Sequence, residues 1–138
     1  MPLSPRLILV HKQSTSGRLR FLSLPDGMLA FVPLPESAAL RDEDYPVTVE
    51  IHPAAVIRAA ESRLALPENS IEPVADFHCW ADTPDGDIPI LLAAFTTIDP
   101  PFAAAEGCGG RFIAITEARR ASEVERNVMR RAYEFILG

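Results

Sequence analysis

The chain has 138 residues, 48% hydrophobic and 23% charged, with a formal net charge of −6. That length and balance predict one globular domain over residues 1–138, large enough to bury a core without cross-links. Two cysteines and an N-terminal apolar run of only four residues (7–10) exclude a disulfide scaffold, an export signal and a membrane span, so the expected location is the cytoplasm.

The charge is uneven. Residues 1–25 carry +4, residues 26–106 carry fifteen acids against three arginines, and residues 107–138 carry +2. An acidic middle repels phosphate backbones, which argues against nucleic acid as partner and favours a basic partner protein. Twelve of the thirteen basic residues are arginine, a bias expected of a GC-rich bacterial genome. Mean hydropathy is +0.10, slightly apolar for a small monomer, so a second copy of the chain is an equally natural partner.

In chain order, residues 6–11 (RLILVH) read as a strand and residues 18–24 (RLRFLSL) as an alternating one. Pro25-Asp26-Gly27 makes a turn, because proline presets the first bend and glycine accepts positive φ. Residues 28–32 (MLAFV) return, so the first third is expected to be a three-stranded meander. Residues 36–44 suggest an acidic loop with a helical turn, and residues 46–52 (PVTVEIH) an alternating strand. Pro53 suits a helix start, and over residues 54–66 Val56, Ile57, Ala60 and Leu64 share one helical face, opposite Arg58, Glu61 and Ser62.

Residues 74–82 and 88–98 flank Thr83-Pro84-Asp85-Gly86-Asp87, a second Pro-Asp-Gly between apolar stretches, which predicts a hairpin. A short helix over residues 102–106, a glycine joint at residues 107–110 and a strand over residues 111–115 follow. From about residue 118 to residue 137, Ala121, Val124, Val128, Ala132, Phe135 and Ile136 form a helical stripe, with Ser122 and Glu125 in capping-box register. The predicted fold is α+β: one two-layer domain, mainly an antiparallel sheet with an N-terminal β-meander, one middle helix and a long C-terminal helix.

The chemistry-bearing residues concentrate before the second turn. On a regular strand Asp76, His78, Trp80 and Asp82 would share one face, where aspartate could orient imidazole and tryptophan could anchor a partner. One histidine with aspartates is an incomplete metal set, Cys79 points the other way, and there is no CxxC or HxxxH, so no metal or cofactor is expected. The acids around residues 82–87 lack calcium-loop spacing. Cys108 sits among glycines with no local base to activate it. Glu106 and Arg111 flank the glycine joint and could line a pocket mouth, but the glycine run lacks phosphate-loop spacing.

No catalytic set is complete, which favours a non-catalytic binding or accessory protein acting through protein contacts, such as an inhibitor of a basic partner. The alternative is a small enzyme or ligand-binding domain centred on Asp76, His78 and the glycine joint at residues 107–110.

Overall fold

The computed structural model describes residues 3–46 and 51–138. Its sheet is built on β1 (Arg6–Lys12), in which Leu7, Ile8, Leu9 and Val10 are all at most 1% exposed. A strand buried on both faces must be central, and the unbroken apolar run RLILV marks it as such. On one side lies β7 (Gly86–Phe95), parallel to β1 from Arg6↔Ile90 to Val10↔Ala94. On the other lie β2 (Leu19–Ser23) and β3 (Leu29–Ala30), both antiparallel to β1. Outward from these, β8 (Arg111–Ile113) pairs with β2, β5 (Ile71–Pro73) and β6 (Trp80–Thr83) pair with β7, and β4 (Ala39–Leu40) pairs with β6, all antiparallel. The mainly antiparallel α+β sheet expected from the sequence is thus observed, with one parallel pair at its centre.

Helices cover both faces, so the domain has three layers where two were expected. On one face α3 (Glu123–Leu137) packs Val128, Met129 and Ala132 against Ile8, Val10, Phe21 and Leu92. On the other, α1 (Ala54–Arg63) and α2 (Phe102–Gly107) bring Ile57, Ala60 and Ala105 to Leu7, Leu9, Leu22 and Ala93. The alternation of β1 demands this arrangement. With one face bare, Leu7, Leu9 and Leu22 would be left in water, each forfeiting roughly 1.5–3 kcal/mol of burial. Among the described residues no helix is long and apolar enough to cross a membrane.

The N-terminal meander is corrected in its pairing. The first Pro-Asp-Gly does close a two-residue turn, with Leu24 and Gly27 exchanging backbone hydrogen bonds of 2.9 and 3.1 Å. The chain then returns to the edge of β1 that β2 has just left, pairing Leu7↔Ala30 and Ile8↔Leu29. Residues 22–27 therefore bulge out of one interrupted strand, and Leu22 and Ser23 pair with β8 instead.

The second turn is the expected hairpin, with Thr83↔Gly86 closing β6 to β7 and the Thr83 hydroxyl donating to the Gly86 carbonyl at 2.6 Å. Pro89 is tolerated because the pairing of β7 with β1 begins only at Ile90. Of the strand expected over residues 46–52, residues 47–50 lie outside the described residues, and Ile51 and His52 are not in a strand. The acidic loop at residues 36–44 contains the short β4.

Helix α1 begins after Pro53 and ends in a Schellman motif. Leu66 N–H reaches Glu61 O at 2.9 Å and Ala65 N–H reaches Ser62 O at 3.1 Å, with Ala65 in the left-handed region at φ 55°. Glu61, expected on the wet face, is buried, because its Oε2 accepts the Ile71 amide at 3.1 Å and ties the helix to β5. On β1, His11 is sealed from solvent. Its Nε2 lies 2.7 Å from the Thr97 carbonyl, and its Nδ1 has no hydrogen-bond partner.

Candidate functional site

The face expected over residues 76–82 is not one strand. Asp76 adopts φ 67° in a turn after β5, and regular pairing starts only at Trp80. Asp76 and His78 are exposed and sit beside an apolar cavity of about 520 Å³ whose wall includes Trp80, Phe77 and Pro89. Trp80 is buried at 8% exposure and does not stand on the outer surface. On their other side Asp76 and His78 meet a groove of about 310 Å³ next to Arg131 and Phe135.

Asp82 is elsewhere, in an ion pair with Arg41 at 3.1 Å. The same guanidinium pairs with Asp87 at 3.1 Å and stacks 4.7 Å from the centre of the Tyr45 ring, while the Tyr45 hydroxyl donates to Asp87 at 2.7 Å. That hydroxyl first, and Arg41 second, hold the Asp87 carboxyl below the usual carboxylate range.

Glu106 is exposed in the last turn of α2, and Arg111 is exposed at the start of β8. The six residues singled out in the sequence thus fall in separate places, with Asp76, His78 and Trp80 together and Asp82, Glu106 and Arg111 apart from them. Neither thiol is poised for attack. Burial pushes the Cys79 thiol up to about 11, against the weaker opposing pull of Arg131. The half-buried Cys108 donates to the Ala105 carbonyl at 3.2 Å. Among the described residues no three His, Cys, Asp or Glu side chains are grouped to hold a metal.

A cleft larger than either of these lies elsewhere, at a place that sequence reading reached only through Arg111 and the glycine joint. It measures about 720 Å³, within the usual range for small-molecule sites. Three segments distant in sequence make it: the Pro25-Asp26-Gly27 turn, the Gly109-Gly110-Arg111 entry to β8, and the stretch from Glu117 to the first turn of α3. Two glycines let these segments meet. A Cβ on Gly110 would stand 2.6 Å from the Ser23 carbonyl, and one on Gly27 would stand 2.6 Å from Glu125 Oε2.

Three guanidiniums, Arg111, Arg119 and Arg120, line the cleft, and so do Asp26, Glu117 and Glu125. Two of the acids are turned to the backbone. Glu117 Oε1 accepts the Ala114 amide at 2.8 Å, and Glu125 Oε2 accepts the Met28 amide at 3.0 Å. Among the described residues the ion pairs belong to Arg41 and Arg131, so Arg111, Arg119 and Arg120 have no carboxylate within 4.0 Å. Ser122, on the same wall, caps α3 by accepting the Glu125 amide at 3.2 Å, placing the positive end of a fifteen-residue helix dipole at the cleft. Guanidiniums that line one cleft beside a helix N-terminus, with no carboxylate partner among the described residues, are suited to hold phosphate or carboxylate oxygens.

No protein-family model matches the chain, and no curated protein matches it. Among solved structures, the crystal structure of C. elegans Ap4A hydrolase is similar, with a TM-score of 0.59, 14% sequence identity and 99% of each chain covered. At that identity the likeness shows that the two chains share a fold over their whole length.

Proposed function

We propose that this chain binds a small phosphorylated ligand, of the nucleotide-polyphosphate class, in the arginine cleft. The observation that carries the reading is the set of three guanidiniums around one 720 Å³ cleft, none of them spent on a carboxylate among the described residues. Phosphate oxygens match the planar donor fork of arginine, and several charge-assisted contacts give the specificity that a single surface charge lacks. The similar fold of a protein named for hydrolysing Ap4A, a polyphosphate, supports the same ligand class. This reading favours the ligand-binding alternative over contact with a basic protein. Binding is what these residues support.

Titration calorimetry with ATP and with tripolyphosphate at low and high salt tests it. Saturable binding that weakens with salt is expected, as for solvent-accessible charge contacts. Absence of binding by both probes at low salt overturns the reading, as does binding that survives replacement of all three arginines.

A further inference from the structure

We infer that Glu125 reads an amine on the anion held by Arg111, Arg119 and Arg120, so that the cleft selects amine-bearing phosphates over phosphates alone. This rests on the cleft being the ligand site.

Glu125 is the one cleft-lining acid that is buried, at 6% exposure. In a full capping box its carboxylate would fold back to the Ser122 amide. Here Oε2 goes instead across to the Met28 amide, at 3.0 Å, and pins the first Pro-Asp-Gly turn over the helix end. The other oxygen, Oε1, has no hydrogen-bond partner among the described residues, and it is not a sealed polar atom, His11 Nδ1 being the one found. Glu125 lines the cleft, so a ligand held there can reach this carboxylate. The missing Cβ of Gly27 makes this room, since a Cβ there would lie 3.2 Å from Oε1 and 2.6 Å from Oε2.

A carboxylate with one amide donor keeps acceptor capacity that a ligand N–H can take in place of water. The neighbouring guanidiniums do not supply the missing donor, since none forms an ion pair with it among the described residues. The cleft therefore offers both exposed donors, at the arginines, and a mostly buried acceptor, at Glu125. A phosphate ester carrying a primary amine satisfies both, and a bare phosphate satisfies only the first.

O-phosphoethanolamine and ethyl phosphate form a matched probe pair, differing at the amine. In the wild-type protein the amine-bearing probe is expected to bind about tenfold more tightly, the size of one charge-assisted hydrogen bond. Glu125→Gln keeps a carbonyl for the Met28 amide and offers an NH₂ where the second carboxylate oxygen stood, so the affinity ratio of the two probes should fall to about one. Equal wild-type affinity for the pair, with tripolyphosphate still bound, overturns this inference and leaves the cleft reading intact. Loss of tripolyphosphate binding in the wild type removes both. A preference that survives in folded Glu125→Gln also overturns it. Should that variant unfold, the carboxyl resonance of Glu125 in the labelled wild-type protein decides: a shift with O-phosphoethanolamine but not ethyl phosphate supports the assignment, and no difference overturns it.

Discussion

The two Pro-Asp-Gly turns have the same sequence and opposite fates. Around Pro84-Asp85-Gly86 the flanking acids Asp82 and Asp87 are engaged, because Arg41 pairs with both and Tyr45 donates to Asp87. Around Pro25-Asp26-Gly27 the nearby guanidiniums have no carboxylate partner among the described residues, and the turn roofs a cleft. A charge already matched inside the fold does little for a ligand, whereas an unmatched charge in a concave site is available to one. The acidic middle of the chain thus misleads about ligand chemistry, since the cleft draws its arginines from residues 107–138, where the balance is +2.

The sharpest way to break this contrast is by charge removal. Replacing Arg111, Arg119 and Arg120 together with alanine is expected to weaken tripolyphosphate binding about a hundredfold or more, at roughly 1–2 kcal/mol per charge-assisted contact. Arg41→Ala, which removes one equally cationic side chain at the other turn, should leave that affinity within a factor of about two. Calorimetric affinities of the two variants check the pair, and equal losses would erase the distinction.

The turns should also differ in their tolerance of a side chain. Gly27 and Gly86 both hold positive φ, at 146° and 133°, so alanine is strained at either. A Cβ at Gly27 collides with Glu125 Oε2 at 2.6 Å, whereas one at Gly86 meets only the Leu3 side chain at 3.7 Å. Gly27→Ala is expected to cost about 2–3 kcal/mol and Gly86→Ala about 1–2 kcal/mol, measured by denaturant unfolding.

The smallest expected effect is the acid response of the paired turn. The folded-state pKa of Asp87 is depressed, chiefly by the Tyr45 hydroxyl. The stability it contributes is therefore present above the unfolded carboxylate pKa of about 3.9 and is lost as pH falls through the lower folded value. Thermal melts below about pH 4 should show this loss, and Asp87→Asn should remove that part of the pH dependence.

Much of the fold was legible because it rests on local rules. The apolar run of β1, the second hairpin, the face of α1 and the Ser122 start of α3 all follow from periodicity, turn chemistry and capping. The errors arose where a distant partner overrode a local preference. The first turn left the expected meander because β3 found free backbone groups on β1 and β2 found them on β8. Glu61 left the wet face of α1 for the Ile71 amide, and Glu125 left its cap for the Met28 amide. Asp76 left the strand by adopting a left-handed turn, and with Trp80 buried beside the same cavity and Asp82 drawn to Arg41 no single four-residue face formed.

Taken alone, the order of residues determined the α+β class, the buried centre of the sheet, the position of both Pro-Asp-Gly turns and the long amphipathic C-terminal helix. Each of these is set by neighbours a few positions apart, through alternation, helical spacing or the φ preferences of proline and glycine. Which charges are matched and which face a cleft was decided by tertiary structure alone. Asp82 meets Arg41 across 41 positions and Glu125 meets Met28 N–H across 97, and only the folded sheet brings such partners within hydrogen-bond distance.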